Sequence, residues 1–386
     1  MPSTPRDRVC FPTSSRRVRR SGISQRADRH ATPPTHPHQT TEQHGEHAGT
    51  RRRTMKALTF KRYGKSPDIG FAEVPQPSLK ADELLVRVHA AGVNPVDNQI
   101  PTGIYKGALK FQLPATLGSD LAGVVTEVGS RVTRFKPGDA VFASIFDQGT
   151  GSIAEFAVVP ERAAALKPAN LDFVQAASIP MVGLTSWQAL KERVDLRAGQ
   201  KVFIPAGSGG IGTFAIQLAK WLGAQVATTT STGNVDLVRS LGADEVVDYK
   251  RQQFETVLRG YDAVLGTVRG DSVEKSVGIL KAGGKIVSLV GPLDVAFARA
   301  RRLNPVLKFV FALMSRKILR LAKKQGFDYS FLFARPDGDQ LAQIGKLLET
   351  QRIRPVIDRV FPFEQAKEAL EYLAQGRAKG KVVVQM

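Results

Sequence analysis

The sequence predicts an α/β protein: a doubly wound parallel sheet inserted into a second, β-rich domain. Three observations carry that expectation. "KVFIPAGSGGIGTFAIQLAK" (201–220) is a short apolar run, a glycine-crowded turn and then apolar residues at helical spacing (211, 214, 215, 218, 219, 222). Further strand-like runs at Gln225 to Thr230, "ADEVVDY" (243–249) and "YDAVLGTV" (261–268) continue the alternation expected of βαβ units. By contrast, 55–179 reads as short strands between Gly and Pro turns, and the last stretch adds a strand, a helix and a final strand.

Taken in chain order, residues 1–54 hold 11 Arg, no Lys, four acids and five of the six histidines. Such a segment cannot bury enough apolar surface to fold alone. Three readings fit it: a disordered tail or start-site artefact, an Arg- and Ser-rich transit peptide, or a nucleic-acid arm. Pro33, Pro34 and Pro37 break any amphipathic helix and the histidines lack metal-ligand spacing, so an inert leader is expected. Composition then changes at "MKALTF" (55–60), which opens the first strand. "ELLVRVHAAGV" (83–93), "LAGVVTEVG" (121–129), "GDAVFASI" (138–145) and "SIAEFAVV" (152–159) supply more strands of a barrel-like domain. The expected division is a 1–54 leader, a β-rich domain of 55–179 plus 334–386, and a parallel-sheet domain of 180–333. Ligand clefts form at such junctions.

The bulk charge is regional. Of the net +20, residues 1–54 carry +7 and 292–326, with nine Lys/Arg and one acid, carry +8. The remainder is mildly basic and shows no nucleic-acid motif or regular stacking platform, so no specific nucleic-acid partner is expected. No apolar run reaches membrane-spanning length. The only cysteine, Cys10, leaves no disulfide framework or thiolate metal site. A reducing compartment is compatible, and the cytoplasm is the expected location. Within the basic helical insertion 292–326, "NPVLKFVFALMSRKILRLAKKQG" (304–326) reads as a helix with a broad apolar face. It could cover the core with a solvated edge, contact a second copy, or lie at a membrane interface. It could also form a hydrophobic lid in which Phe309, Phe311, Phe331 and Phe333 face the substrate.

The glycine turn carries the most chemistry. Unpaired amides at a helix N-terminus point at an anion. Gly207, Gly209 and Gly212 fit the G-x-G-x-x-G pattern: the first permits the tight turn, the second lets the backbone approach a pyrophosphate, and the third packs helix on strand. Dinucleotide binding follows. An NAD site would carry an acid about twenty residues on, yet none occurs from Thr213 through Val235. A 2′-phosphate would meet Thr230, Ser231, Thr232 and Asn234, with Tyr249, Lys250 and Arg251 one strand further on. NADP(H) is the expected cofactor.

Seven motifs then occur in order: "AAGVNPVDNQIPTGIY" (90–105), "LGSDLAGVVTEVGSRVTRFKPGDAVFA" (117–143), "GLTSWQAL" (183–190), "AGSGGIGTFAIQLAK" (206–220), "SLGADEVVDY" (240–249), "GGKIVSLVG" (283–291) and "GRAKGKVVV" (376–384). Their order resembles the medium-chain dehydrogenase/reductase superfamily, and within it the zinc-free quinone oxidoreductase and alkenal (enone) reductase branch. The resemblance covers essentially all of 55–386, with Phe203 in place of a usual Leu. It implies a GroES-like catalytic domain around an inserted Rossmann domain, assembled as a homodimer. It also implies cofactor contacts from Thr185 at the nicotinamide end, from Ser208, Gly210 and Ile211 beside the three glycines, and from Val290, Gly291 and Lys381. Zinc-dependent relatives place ligands where this chain has Asn94, Ser119 and Val182, so no zinc is expected. In zinc-free relatives NADPH delivers a hydride to a quinone or to the β-carbon of an α,β-unsaturated carbonyl, so a small hydrophobic carbonyl or quinone is the expected substrate. Asn94 and Tyr105 are the candidate donors to the oxygen where charge develops, and Asp97 orients its neighbours. Related quinone reductases put a Tyr where this chain has Gln99, which leaves solvent as an alternative proton donor. The alternatives are a zinc-free NADP-dependent alcohol dehydrogenase or carbonyl reductase, an RNA-binding protein on the same fold, and a membrane-surface adaptor.

Overall fold

Strand β3 (Glu83–Val93) is buried along nearly its whole length, which is why its residues are apolar on both faces. It is central to a seven-stranded sheet of order β15-β16-β3-β5-β6-β8, with β7 also pairing β3. The other members are β5 (Asp120–Val128), β6 (Ala140–Ser144), β7 (Phe156–Pro160), β8 (Ala164–Leu166), β15 (Ile357–Pro362) and β16 (Lys381–Gln385). Strands β1 (Thr54–Phe60), β2 (Ile69–Pro75) and β4 (Ala115–Thr116) form a smaller sheet of order β2-β1-β4. The structure, a computed structural model, describes residues 53–386 other than 108, 110 and 150. The inert leader expected at 1–54 therefore lies outside the described residues, apart from its last two.

The second sheet is parallel throughout, with order β11-β10-β9-β12-β13-β14. Its strands are β9 (Lys201–Ile204), β10 (Gln225–Thr230), β11 (Glu245–Asp248), β12 (Tyr261–Gly266), β13 (Leu280–Ser288) and β14 (Asp328–Phe331). Strand order reverses direction beside β9, the place where ligands sit in such sheets.

Eleven α-helices connect and cover these sheets among the described residues: α1 (Pro95–Gln99), α2 (Phe173–Ala177), α3 (Pro180–Trp187), α4 (Gly210–Trp221), α5 (Val235–Ser240), α6 (Phe254–Val257), α7 (Ser272–Ser276), α8 (Val295–Ala300), α9 (Pro305–Gln325), α10 (Gly338–Glu349) and α11 (Ala366–Ala374). Helix α4 buries Phe214, Ala215, Ile216, Leu218 and Ala219 at the spacing read from the sequence. One core runs on from there through Leu184 and Trp187 of α3 to Ala90 and Phe142 of the seven-stranded sheet. The two halves therefore meet through packed side chains, with α3 as the shared wall.

Among the boundaries that differ from the sequence reading, two have a visible reason. The strand expected at 152–159 enters the seven-stranded sheet only at Phe156, because Ile153 and Ala154 serve the smaller sheet: Leu58 N donates to Ile153 O at 2.9 Å, and Ala57 bridges Ala154. Strand β12 stops at Gly266 rather than at Val268, and the freed chain carries Thr267 and Arg269 into a cleft.

Candidate active site

That cleft, of about 490 Å³, opens between the C-terminal ends of β9, β12 and β13 and the end of β3 with its following helix. Of the residues singled out in the sequence, Asn94, Tyr105, Thr185, Gly209, Gly210, Ile211, Gly212, Val290 and Lys381 line it. Phe146, Phe331, Phe333, Met181 and Leu289 make much of its wall apolar. Of the four aromatics proposed as a lid, only Phe331 and Phe333 face the cleft. Phe311 packs on Phe297 at 6.0 Å instead, and Phe309 is 65% exposed on the far side of α9.

The three glycines do different work. A Cβ on Gly212 would meet Ala206 O and sit 2.6 Å from Gly207 Cα, and one on Gly207 would press on the Thr228 side chain. Both therefore exist to let helix, turn and strand touch. Gly209 is the N-cap of α4, and its Cβ would meet nothing closer than Ala206 O at 3.4 Å. Its open side faces the cleft, where the first-turn amides of α4 lack intrahelical partners. This cradle fits a pyrophosphate. Gly380 N donates to Ser208 O at 2.8 Å, so the loop before β16 is tied to the same turn.

A polar nest lies next to the turn. Thr230 Oγ1 donates to Ser208 Oγ at 3.0 Å, and Asn234 Nδ2 donates to Ser208 and Ser231 at 3.2 Å each. The loop itself holds no acid, but a carboxylate reaches it from the next strand. Thr232 Oγ1 donates at 2.6 Å to Asp248, whose position at the end of β11 is the register partner of Thr230. The hydrogen bond from Thr232, that from Lys250 N and the nearby Arg251 hold this carboxyl below the usual carboxylate range. Tyr249 is exposed beside it. Gly291 does not reach the cleft; its carbonyl accepts from Ser288 Oγ at 2.8 Å.

The expected donors also change role. Asn94 is 2% exposed, and its amide is already committed: Nδ2 donates to Asp120 Oδ2 at 2.9 Å and to Gly92 O at 3.4 Å, and Oδ1 accepts from Lys381 Nζ. Asn94 thus positions two buried titratable groups rather than offering a free N–H. Asp97 lies outside the cleft wall; it accepts from Asn94 N at 2.7 Å and from Ser119 Oγ. Burial pushes its carboxyl up to about 7 against those two hydrogen bonds. Burial also raises Asp120 and lowers Lys381, whose Nζ donates to Val93 O at 3.0 Å and lies 3.9 Å from Asp120. Lys381 is therefore a buried amine at the meeting point of β3, β16 and the glycine turn, and it also lines the cleft. Tyr105 Oη donates to Gln99 Oε1 at 2.7 Å, which occupies its proton. Burial raises that phenol, and Arg269 opposes the rise.

Sequence reasoning missed Arg269, Asp120 and Met181. Asp120 stands inside the quoted "LGSDLAG" motif but reads there as strand; it takes N–H bonds from Asn94 and, at 3.0 Å, from Met181 N. Among the described residues no three His, Cys, Asp or Glu come together as metal ligands. Of the three zinc-ligand positions, Asn94 and Ser119 belong to the buried network and Val182 is apolar cleft wall.

Comparisons with known proteins agree with this architecture. Residues 80–169 match the alcohol dehydrogenase GroES-like domain model, and 241–384 match one described as zinc-binding dehydrogenase. The chain is 34% identical to the mitochondrial NAD(P)H oxidoreductase RTN4IP1 of Danio rerio over 87% of this chain and 92% of that one. It is also 34% identical to a chloroplastic NADPH-dependent alkenal/one oxidoreductase of Arabidopsis thaliana, over 86% and 79%. The structure of the quinone oxidoreductase from Coxiella burnetii superposes with a TM-score of 0.75 at 31% identity, covering 86% of this chain and all of that one. The chain is an oxidoreductase of the medium-chain dehydrogenase/reductase superfamily, in the branch of quinone oxidoreductases and alkenal reductases.

Proposed function

We propose that the protein is an NADPH-dependent reductase of quinones or α,β-unsaturated carbonyls that works without zinc. One observation carries the reading: a single cleft joins the anion-accepting turn at Gly209–Gly212 to an apolar chamber walled by Phe146, Phe331 and Phe333. A bound nicotinamide nucleotide supplies the hydride. The chain's own residues do the rest. First-turn amides of α4 hold the pyrophosphate, and Thr185 and Val290 flank the nicotinamide end. Thr230, Ser231, Asn234 and the exposed Lys250 and Arg251 receive the 2′-phosphate, with the charge of Asp248 met by Thr232 and Arg251. The aromatic wall orients a flat acceptor. With the amide of Asn94 committed, Arg269 is the donor at the outer end of the chamber that meets developing charge on the acceptor oxygen. Solvent returns the proton, since the hydroxyl of Tyr105 is engaged by Gln99.

The names of the relatives, which include quinone and alkenal reductases, support the acceptor class. We take the assembly to be a homodimer, for which the edge strand β14 offers an unpaired side, and the location to be cytoplasmic. The test is an NADPH-oxidation screen over quinones, enones and aldehydes, run after exhaustive chelation. Turnover of quinones or enones is expected, with NADPH bound at least tenfold better than NADH, about 1.4 kcal/mol. Activity confined to aldehydes, equal affinity for NADH, or loss of activity with stoichiometric zinc would each overturn a named part of the reading.

A further inference from the structure

Helix α9 is attached to the protein by one narrow stripe. Phe311, Ser315, Ile318 and Ala322 face inward, with Ile318 and Ala322 in a cluster with Phe327 and Tyr329. At 3.6 residues per turn, Val306, Phe309, Val310 and Leu313 fall on the opposite side. All four are exposed, Val306 to 69% and Phe309 to 65%. An outward face this apolar marks an interaction surface.

The same outward side changes character halfway along. After Met314 it carries Arg316, Lys317, Arg320, Lys323 and Lys324, and no acid occurs anywhere in α9. Among the described residues only Lys317 of this set is ion-paired, 3.6 Å from Glu274 on α7. Apolar turns continuous with a basic turn set are what an anionic bilayer surface accepts: side chains enter the acyl–headgroup boundary while lysines and arginines meet phosphates. No helix of the described residues is long and apolar enough to cross a membrane. We propose that α9 docks the protein peripherally on an anionic lipid surface, its first turns inserted and its last turns on the headgroups. Charge complementarity selects this occupant, because five outward basic side chains, with a single ion pair among the described residues, match the phosphates of an anionic surface. The docking stands apart from the reduction proposed above and does not require it.

The test is flotation of the full-length chain with vesicles of phosphatidylcholine alone or with one-third phosphatidylglycerol. Binding to the anionic vesicles only, weakening as salt rises, is expected. The double variant Phe309→Glu/Leu313→Glu and the charge reversal Arg320→Glu/Lys324→Glu should each lower binding at least tenfold. Their thermal midpoints should stay at the wild-type value, since all four side chains are exposed. Phe309→Trp should shift its fluorescence to the blue on anionic vesicles, which reads insertion in a variant that keeps an apolar side chain. Unchanged binding in both double variants would assign any membrane affinity to the Arg-rich leader and overturn the proposal. Equal binding to neutral vesicles would overturn it too. So would a wild-type oligomer that Phe309→Glu/Leu313→Glu dissociates while lipid binding persists, because the face would then belong to a second copy.

Discussion

Replacing Gly209 by Val and Gly212 by Ala should separate ligand binding from folding within one turn. At Gly212 the new Cβ would lie 2.6 Å from Gly207 Cα, about 0.8 Å inside ordinary contact, and would also meet Ala206 O. Both neighbours are backbone, so no rotamer change relieves the clash and α4 must shift away from β9. Overpacking of this kind costs about 3 kcal/mol at its upper range, offset by about 1 kcal/mol from removing a helical glycine. A net loss of about 2 kcal/mol is expected, or a fall of roughly 3 °C in the unfolding midpoint of a unit this large. At Gly209 the strain is absent. Its φ of −81° suits any residue and a Cβ meets nothing inside 3.4 Å, so Val should cost only the loss of a favourable N-cap residue, about 1 kcal/mol. The branched side chain then projects where the pyrophosphate approaches, and NADPH affinity should fall at least a hundredfold, about 2.8 kcal/mol. Differential scanning fluorimetry without nucleotide and an NADPH fluorescence titration read the two effects. Undiminished affinity in Gly209→Val would refute the assignment of the cradle, and a stable Gly212→Ala would refute the packing argument.

Other outcomes follow from the buried network. The Asp97 carboxyl is raised to about 7 from an ordinary 3.8, so the native state binds more protons than the unfolded one between those values. This group's contribution to stability is full below about pH 4 and is lost as pH rises through 7; Asp97→Asn should therefore gain on wild type as pH is raised across that window, and a flat difference would contradict it. Asn94→Ala leaves Lys381 and Asp120 each short of a hydrogen bond, so it should cost about 1–3 kcal/mol of stability along with activity; loss of kcat alone, with the unfolding midpoint unmoved, would restore Asn94 as a simple substrate donor. Tyr105→Phe removes a hydroxyl already bonded to Gln99, and its kcat on an enone should stay within about threefold of wild type, whereas a hundredfold drop would make Tyr105 the acid.

Strand β3 and the run from β9 to β10 were legible residue for residue, because period and glycine chemistry are local signals. The glycine turn between β9 and α4 was legible for the same reason. Asp248 was not: a search along the chain from the glycines covers one strand, while the parallel sheet sets the end of the next strand, 18 residues on, beside Thr230. The Asn94–Asp120–Lys381 network was equally hidden, since its members lie 26 and 287 positions from Asn94 and each has an ordinary local reading. Asn94 before a proline reads as a turn, Asp120 as a strand start and Lys381 as a strand end. Arg269 escaped because its loop looked like the last residues of β12, and only the early end of that strand turns it inward.

Strand β16 pairs with both β3 and β15 and sets the Lys381 side chain against Gly210 of the glycine turn. Ribosomal synthesis is vectorial, at about 5–20 residues per second, so β3 must wait for nearly three hundred residues before its neighbour exists. During that interval the nascent chain holds a sheet with an open, strongly apolar margin and a nucleotide turn without its floor. The parallel-sheet half, whose strands are all complete by Phe331, can form first and hold the two separated pieces of the other half close together. Until residues 381–385 emerge, then, the seven-stranded sheet lacks the strand that joins β3 to β15, and the glycine turn lacks the lysine packed against it.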